Sequence, residues 1–194
     1  WIWISDTKRI MAHALYPGDA PMSLTPGEYA AVAARAELLV SGEEVERALD
    51  RMADEIGGDL ATSDPLVLCV MTGAVIVAGR LLPRLAFQLQ LGYLHATRYR
   101  GATRGGDLAW LHRPSAAIKG RHILLLDDIL DEGLTLEAAA EACREDGAAS
   151  VRCAVLVEKE RARSSTLRPD YVGIRTPDRY LFGYGLDYRN YFRN

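Results

Sequence analysis

The sequence predicts an α/β fold with a central, mostly parallel sheet flanked by helices. Three observations carry this. Residues 66–71 (Leu-Val-Leu-Cys-Val-Met) and 122–126 (His-Ile-Leu-Leu-Leu) are near-continuous apolar runs of strand length, without alternation, as expected for strands covered on both faces. Helical stretches separate such runs, and strands alternating with helices make βαβ units. Acids, glycines and hydroxyls gather just past the carboxyl ends of these runs, where sheets of this class bind ligands.

The elements follow in chain order. Residues 1–4, Trp-Ile-Trp-Ile, are β-branched and aromatic and read as a short strand. Residues 16–21 carry turn chemistry and read as a linker, so 1–24 is expected as an N-terminal extension and 25–194 as the main domain. Thr25-Pro26-Gly27-Glu28 is a helix start, with a cap candidate, Pro in the first turn and an acid three residues on. Apolar residues in 29–40 follow at mixed spacing. Ser41-Gly42-Glu43-Glu44 is a second start, after which Val45, Leu49, Met52 and Ile56 share one helix face. Gly57-Gly58 is expected to end that helix. Thr72-Gly73 follows the first buried strand and leads into a helix over 74–85. Residues 89–98 read as a strand, 101–106 as a polar glycine-rich loop, 122–126 as the next strand and 134–145 as a helix. Residues 151–157 form a further strand, and 171–174 and 180–182 are short apolar pieces.

Composition narrows the class. With 49% hydrophobic and 25% charged residues over 194 positions, the chain suits one globular domain and not a disordered, collagen-like or disulfide-scaffold protein. Twenty-three basic against 26 acidic residues give a net charge of −3, so no nucleic-acid or membrane partner is expected. No apolar run reaches the ~18 residues of a membrane helix, and no signal-peptide pattern is visible. Cys69, Cys143 and Cys153 are widely spaced without a CxxC pair; buried free thiols and a cytoplasmic location are expected.

The most informative stretch is 123–135, Ile-Leu-Leu-Leu-Asp-Asp-Ile-Leu-Asp-Glu-Gly-Leu-Thr. A buried strand runs into Asp127-Asp128, and a short loop then opens a helix. Adjacent carboxylates at a strand end need water, a cation or hydroxyl donors, and a ribose diol supplies the last. The loop Asp131-Glu132-Gly133-Leu134-Thr135 offers amide N–H groups at a helix N-terminus, a setting suited to phosphate. Diol followed by phosphate describes a ribose 5-phosphate. An isolated acid pair is also a common turn former, and Asp131 or Thr135 also suits a plain helix cap; the complete string is what separates these readings.

That string resembles the 5-phosphoribosyl-1-pyrophosphate (PRPP) signature of the type I phosphoribosyltransferases. Leu94-His95-Ala96-Thr97-Arg98-Tyr99, Val157-Glu158-Lys159 and Tyr180-Leu181-Phe182-Gly183-Tyr184-Gly185-Leu186-Asp187-Tyr188 extend the resemblance to the bacterial hypoxanthine-guanine branch, over residues 38–194. The resemblance implies a type I fold with a small hood subdomain, built from the N-terminal part and residues ~159–194 by that analogy. It implies purine salvage by Mg²⁺-dependent transfer of ribose 5-phosphate from PRPP to N9 of a 6-oxopurine. Hypoxanthine or guanine would give IMP or GMP plus pyrophosphate.

By the same resemblance, Asp127 and Asp128 would hold the ribose hydroxyls and metal, and residues 131–135 the 5′-phosphate. Asp131 would act as acid/base at purine N7. Thr72, Gly73, Arg163 and Arg193 would face pyrophosphate, and Asp187 a second Mg²⁺. Lys159 would donate to purine O6, Tyr180 stack on the ring, and the Leu181 backbone read its edge. An oxocarbenium-like transition state with a departing pyrophosphate calls for cationic stabilisation and exclusion of water, and Arg98-Tyr99 before the glycine-rich loop suits a lid. Thr72 departs from relatives that carry Lys there, and Met71–Thr72 is a candidate non-proline cis peptide. Relatives continue past the Arg-Asn pair into a last hood strand, so two expectations stand: either that tail is missing here, or the N-terminal strand at 1–4 supplies the hood. A xanthine-preferring transferase and a non-catalytic PRPP-binding regulator stay open as alternatives, as do homodimer and homotetramer.

Overall fold

The structure, a computed structural model, describes residues 2–5, 23–98, 108–113, 117–163 and 165–194. Nine strands are described: β1 (Ile2–Ser5), β2 (Glu37–Val40), β3 (Leu66–Met71), β4 (Gln90–Arg98), β5 (Leu108–His112), β6 (His122–Leu130), β7 (Ser150–Glu160), β8 (Tyr171–Pro177) and β9 (Tyr180–Phe182). Four α-helices accompany them: α1 (Pro26–Arg35), α2 (Gly42–Leu60), α3 (Ala74–Leu81) and α4 (Leu134–Glu145).

The main sheet has the order β5-β4-β3-β6-β7-β8. All its pairings are parallel except β4 with β5. Alternate residues of the central strands go to opposite faces. Val67, Cys69, Leu124 and Leu126 pack with Leu49, Met52 and Ile56 of α2 and Val77 of α3. Leu68, Val70 and Leu125 pack with Leu136, Ala140 and Cys143 of α4. Both faces are therefore covered, which is why these strands lack polar alternation.

A second, antiparallel sheet has the order β2-β1-β9. Trp3 pairs with both Leu38 and Phe182, and Ser5 with Tyr180, so the N-terminal strand lies at the centre of the hood. Beneath it, Val32, Phe182 and Tyr188 form a separate apolar cluster, with Tyr29 stacked on Phe192 at 4.0 Å between ring centroids.

Several boundaries differ from the sequence expectation. The mixed spacing over 29–40 resolves into α1, opened by a Thr25–Glu28 capping box, and then β2. Helix α2 runs through Gly57-Gly58 to Leu60; burial of Ile56 and Leu60 outweighs the ~1 kcal/mol each glycine costs a helix. Helix α3 stops at Leu81 and gives way to a 3₁₀ turn over Leu82–Arg84, because Pro83 lacks the N–H that continuation needs. Strand β5 is an addition. Strand β6 continues past residue 126 to Leu130, held by pairing of Asp127 with Val155 and Ile129 with Val157. The paired acids thus sit within the strand and not at its end. Tyr99, the side chain of Arg98, the glycine-rich loop and the 16–21 linker lie outside the described residues.

Candidate active site

The carboxyl ends of β3, β6 and β7 open into a cleft of about 520 Å³, roofed by residues of the hood. Strand β3 delivers Met71, joined to Thr72 by a cis peptide. Gly73 then turns into α3. A Cβ on Gly73 would stand 2.4 Å from Asp128 Oδ2, so the pyrophosphate-loop candidate and the acid pair touch through the missing side chain.

Strand β6 delivers the acids. The Asp128 amide donates to Asp127 Oδ1 at 2.9 Å, and Asp128 is only 7% exposed. Burial, reinforced by the Asp128 charge, holds the Asp127 carboxyl well above its usual range. Burial also raises Asp128, partly offset by its hydrogen bond with Asp127 and by the Arg193 charge. The pair resists carrying two negative charges unaided, and a cation would relieve it.

The same strand leads into the loop before α4. Gly133 caps α4 in the left-handed region, at φ 79°, and makes no side-chain cap bond. The N–H groups of the first helical turn therefore have no side-chain cap, and this turn lines the cleft. Asp131 is not a cap. Its Oδ2 accepts from Lys159 Nζ at 2.9 Å and its Oδ1 from Arg161 Nη1 at 2.9 Å. Burial raises the Asp131 carboxyl, but these two cations outweigh it and hold it below its ordinary value.

Strand β7 supplies Lys159, 7% exposed; Arg161, in the bend just past its end, also reaches Glu132 Oε1 through Nη2 at 2.7 Å. From the hood come Tyr180, Leu181, Asp187 and Arg193. The Tyr180 hydroxyl donates to the Asp187 carbonyl at 3.0 Å, and its ring meets Tyr188 edge-on at 5.7 Å. Asp187 Oδ1 accepts from Arg193 Nη2 and its Oδ2 from the Asn190 amide, both at 2.7 Å. Gly185, at φ 104°, lets this loop approach so closely that a Cβ there would lie 2.6 Å from the Gly73 carbonyl.

The structure thus brings together Thr72, Gly73, Asp127, Asp128, the residues from Asp131 to Thr135, Lys159, Tyr180, Leu181, Asp187 and Arg193. Arg163 is not among them. Its guanidinium is buried against Glu158 Oε1, at 2.8 Å, and the Lys159 carbonyl, and it lines a neighbouring hollow with Arg168 and Arg175. Glu158 alternates with Lys159 along β7 and lines that hollow, and Arg163 pairs with it there. Sequence reading missed Arg161. No local pattern marked it, since Arg161 lies in the bend after β7 and meets Asp131 only through the fold.

The carboxylates suit a hard divalent cation. Asp127, Asp128 and Asp187 offer only oxygen donors, and among the described residues no group of three or more His, Cys, Asp or Glu stands together as a metal cage. Mg²⁺ commonly takes one or two carboxylates and completes its shell from substrate phosphates and water, which this donor set matches.

Comparison with known proteins adds to this geometry. Residues 36–189 match the family model of a phosphoribosyl transferase domain. The chain is 31% identical over 158 residues to the hypoxanthine-guanine-xanthine phosphoribosyltransferase of Tritrichomonas foetus, covering 81% of this chain and 86% of that protein. It is 29% identical over 159 residues to the hypoxanthine-guanine phosphoribosyltransferase of Bacillus subtilis (strain 168), covering 81% and 88%. Among solved structures, a hypoxanthine phosphoribosyltransferase from Staphylococcus aureus shares the fold with a TM-score of 0.77 at 24% identity, covering 81% of this chain and 86% of that one.

Proposed function

The chain belongs to the phosphoribosyltransferase family, in its hypoxanthine-guanine branch, and from that premise we propose that it moves the 5-phosphoribosyl group of PRPP to N9 of hypoxanthine or guanine. The chain is an enzyme of purine salvage; the products would be IMP or GMP and pyrophosphate. The observation that carries the reading is one cleft holding a buried acid pair, the first turn of α4 with no side-chain cap, and a buried lysine.

In the reaction the C1′–oxygen bond breaks, pyrophosphate departs with the electron pair, and the N9 lone pair forms the new bond to C1′. Asp127 and Asp128 accept from the ribose hydroxyls, orienting C1′. The amides and hydroxyl from Gly133 to Thr135 hold the 5′-phosphate. Thr72, the Gly73 amide and Arg193 face the leaving group, whose developing charge they stabilise. Asp127, Asp128 and Asp187 would hold Mg²⁺, which supplies charge neutralisation for pyrophosphate. Lys159 donates to O6, which the exocyclic amine of adenine cannot accept. Tyr180 stacks on the ring and the Leu181 backbone reads its edge. Asp131, kept ionised by its two cations, takes the N7 proton as N9 bonds to carbon.

We expect a cytoplasmic homodimer or homotetramer. Three free, buried cysteines suit a reducing compartment, and the exposed Leu91, Tyr93 and Leu111 of β4 and β5 suit a contact with a second copy. The deciding assay mixes protein, PRPP and Mg²⁺ with each of hypoxanthine, guanine, xanthine and adenine. Nucleotide and pyrophosphate should appear with the first two and not with adenine. PRPP binding without any turnover would replace the reading with that of a PRPP-sensing regulator, and turnover of xanthine above the other bases with that of a xanthine transferase.

A further inference from the structure

We propose that Arg161 is a positioning residue that holds the Asp131 carboxylate toward the purine while Lys159 is engaged with the purine's exocyclic oxygen. The inference rests on the roles proposed above for Asp131 and Lys159. Those roles give Lys159 two duties. Its Nζ donates to Asp131 Oδ2 at 2.9 Å, and the same ammonium is the group that reads O6. Asp131 Oδ2 is then also the oxygen that must turn to N7. Any movement of Lys159 toward O6 weakens its hold on Asp131 at the moment that acid is needed.

Arg161 has no such second duty. It holds the opposite oxygen, Asp131 Oδ1, through Nη1 at 2.9 Å, and Glu132 Oε1 through Nη2 at 2.7 Å. One planar fork thus spans two successive carboxylates, a geometry that arginine supplies and lysine does not. It fixes the rotation of the Asp131 carboxylate. The side chain is 30% exposed, so its charge is only partly screened by water.

The charges around Asp131 make this support matter. From β7 comes Lys159 and from the bend after it Arg161; Glu132 lies on the same loop as Asp131. Asp178, in the turn between β8 and β9, stands 3.6 Å from Arg161 and 4.0 Å from Lys159. The cleft also holds Asp127, Asp128, Asp187 and Arg193. Carboxylates outnumber cations here. Without Arg161, Asp131 would keep Lys159 alone and would bind a proton at higher pH.

The test compares Arg161→Gln, Arg161→Lys and Asp131→Asn in the full chain, with hypoxanthine, PRPP and Mg²⁺. Thermal melting serves as the check on folding. Arg161→Gln should melt within a few degrees of the parent and keep the KM for PRPP. Its kcat should fall about tenfold, and the acid limb of kcat/KM for hypoxanthine should move up by about one pH unit, as a carboxylate does on losing an adjacent cation. The sign is fixed: a base is lost as pH falls through its pKa, so a higher pKa loses activity sooner. Arg161→Lys should restore the acid limb but only part of kcat, since an ammonium cannot bridge both carboxylates. An Arg161→Gln enzyme with parental kcat and acid limb overturns the proposal. So does a lowered kcat with an unmoved acid limb, which a merely structural role would give. If Asp131→Asn itself turns over at the parental rate, the reading of Asp131 has failed and not that of Arg161 alone.

Discussion

Gly73 and Asp128 are so close that a Cβ on the glycine would lie 2.4 Å from the aspartate Oδ2 and 2.5 Å from its Cγ. The Gly73 backbone itself is right-handed, at φ −60° and ψ −45°, and accepts an L side chain. Gly73→Ala should therefore act through contact and not through backbone strain. The new methyl displaces the Asp128 carboxylate, at an overpacking cost of about 1–3 kcal/mol. The KM for PRPP should rise at least about tenfold for a diol contact worth ~1.5 kcal/mol, while the variant remains folded by circular dichroism. An unchanged KM would remove Asp128 from the PRPP site.

Asp127→Asn should stabilise the protein and disable it at once. Burial and the neighbouring charge raise the Asp127 carboxyl above its unfolded value, so in wild type, stability rises as pH falls through that raised value. Asparagine imitates the protonated acid and still accepts from the Asp128 amide. Measured without PRPP, the variant should melt higher than wild type by ~2–4 °C for each kcal/mol relieved. The gain should be largest at alkaline pH, where wild type must carry the charge, and shrink on acidification as wild type takes up its proton. Calorimetry should show PRPP binding lost. A lower melting temperature at alkaline pH would contradict the account.

Lys159→Gln should blunt discrimination between bases. The amide keeps a donor for O6 but adds an acceptor that an exocyclic amine can use. Losing a charged hydrogen bond of about 2–3 kcal/mol should cost hypoxanthine about 100-fold in kcat/KM, while adenine turnover becomes measurable. Equal losses on every base, with adenine still excluded, would assign Lys159 to Asp131 alone.

The three cysteines should be silent toward thiol reagents in the folded protein. Burial pushes Cys69 up to about 11, while Cys143 also reaches about 11 and Cys153 about 12, and the thiolate is the reactive form. Colorimetric titration at about pH 8 should find no fast thiol until denaturant is added, and then all three. One rapid equivalent in buffer would place a thiol at the surface.

Much of this was legible before any coordinates. The non-alternating runs at 66–71 and 122–126 became β3 and β6 because helices cover both faces. The loop from Asp131 to Thr135 opened a helix where its glycine suggested. What stayed hidden depended on partners elsewhere in the chain. Asp127 and Asp128 look like the end of a strand until β7 pairs alongside and carries it on to Leu130. Gly57-Gly58 looks like a stop until Leu60 finds the core. The resemblance puts Arg163 near pyrophosphate, and its pairing with Glu158, on the other side of β7, could not be read from local pattern. Local pattern located the cleft; tertiary pairing decided which side chains enter it.

The hood has a consequence for how the protein acquires its structure. Strand β9, which carries Tyr180 and Leu181, pairs with β1, and β1 comes from the far side of the sequence. The main sheet is built from segments much nearer to one another. Closing the long loop between β1 and β9 costs more entropy, and distant contacts form late. Amides of Leu66–Met71 and His122–Leu130 should accordingly gain protection from hydrogen exchange before those of Ile2–Ser5 and Tyr180–Phe182 in a pulse-labelled refolding experiment. A chain caught partway would already hold its acid pair on a formed sheet, with no pocket yet for a base, and would expose the apolar underside of the hood to chaperones and proteases until the two distant strands meet.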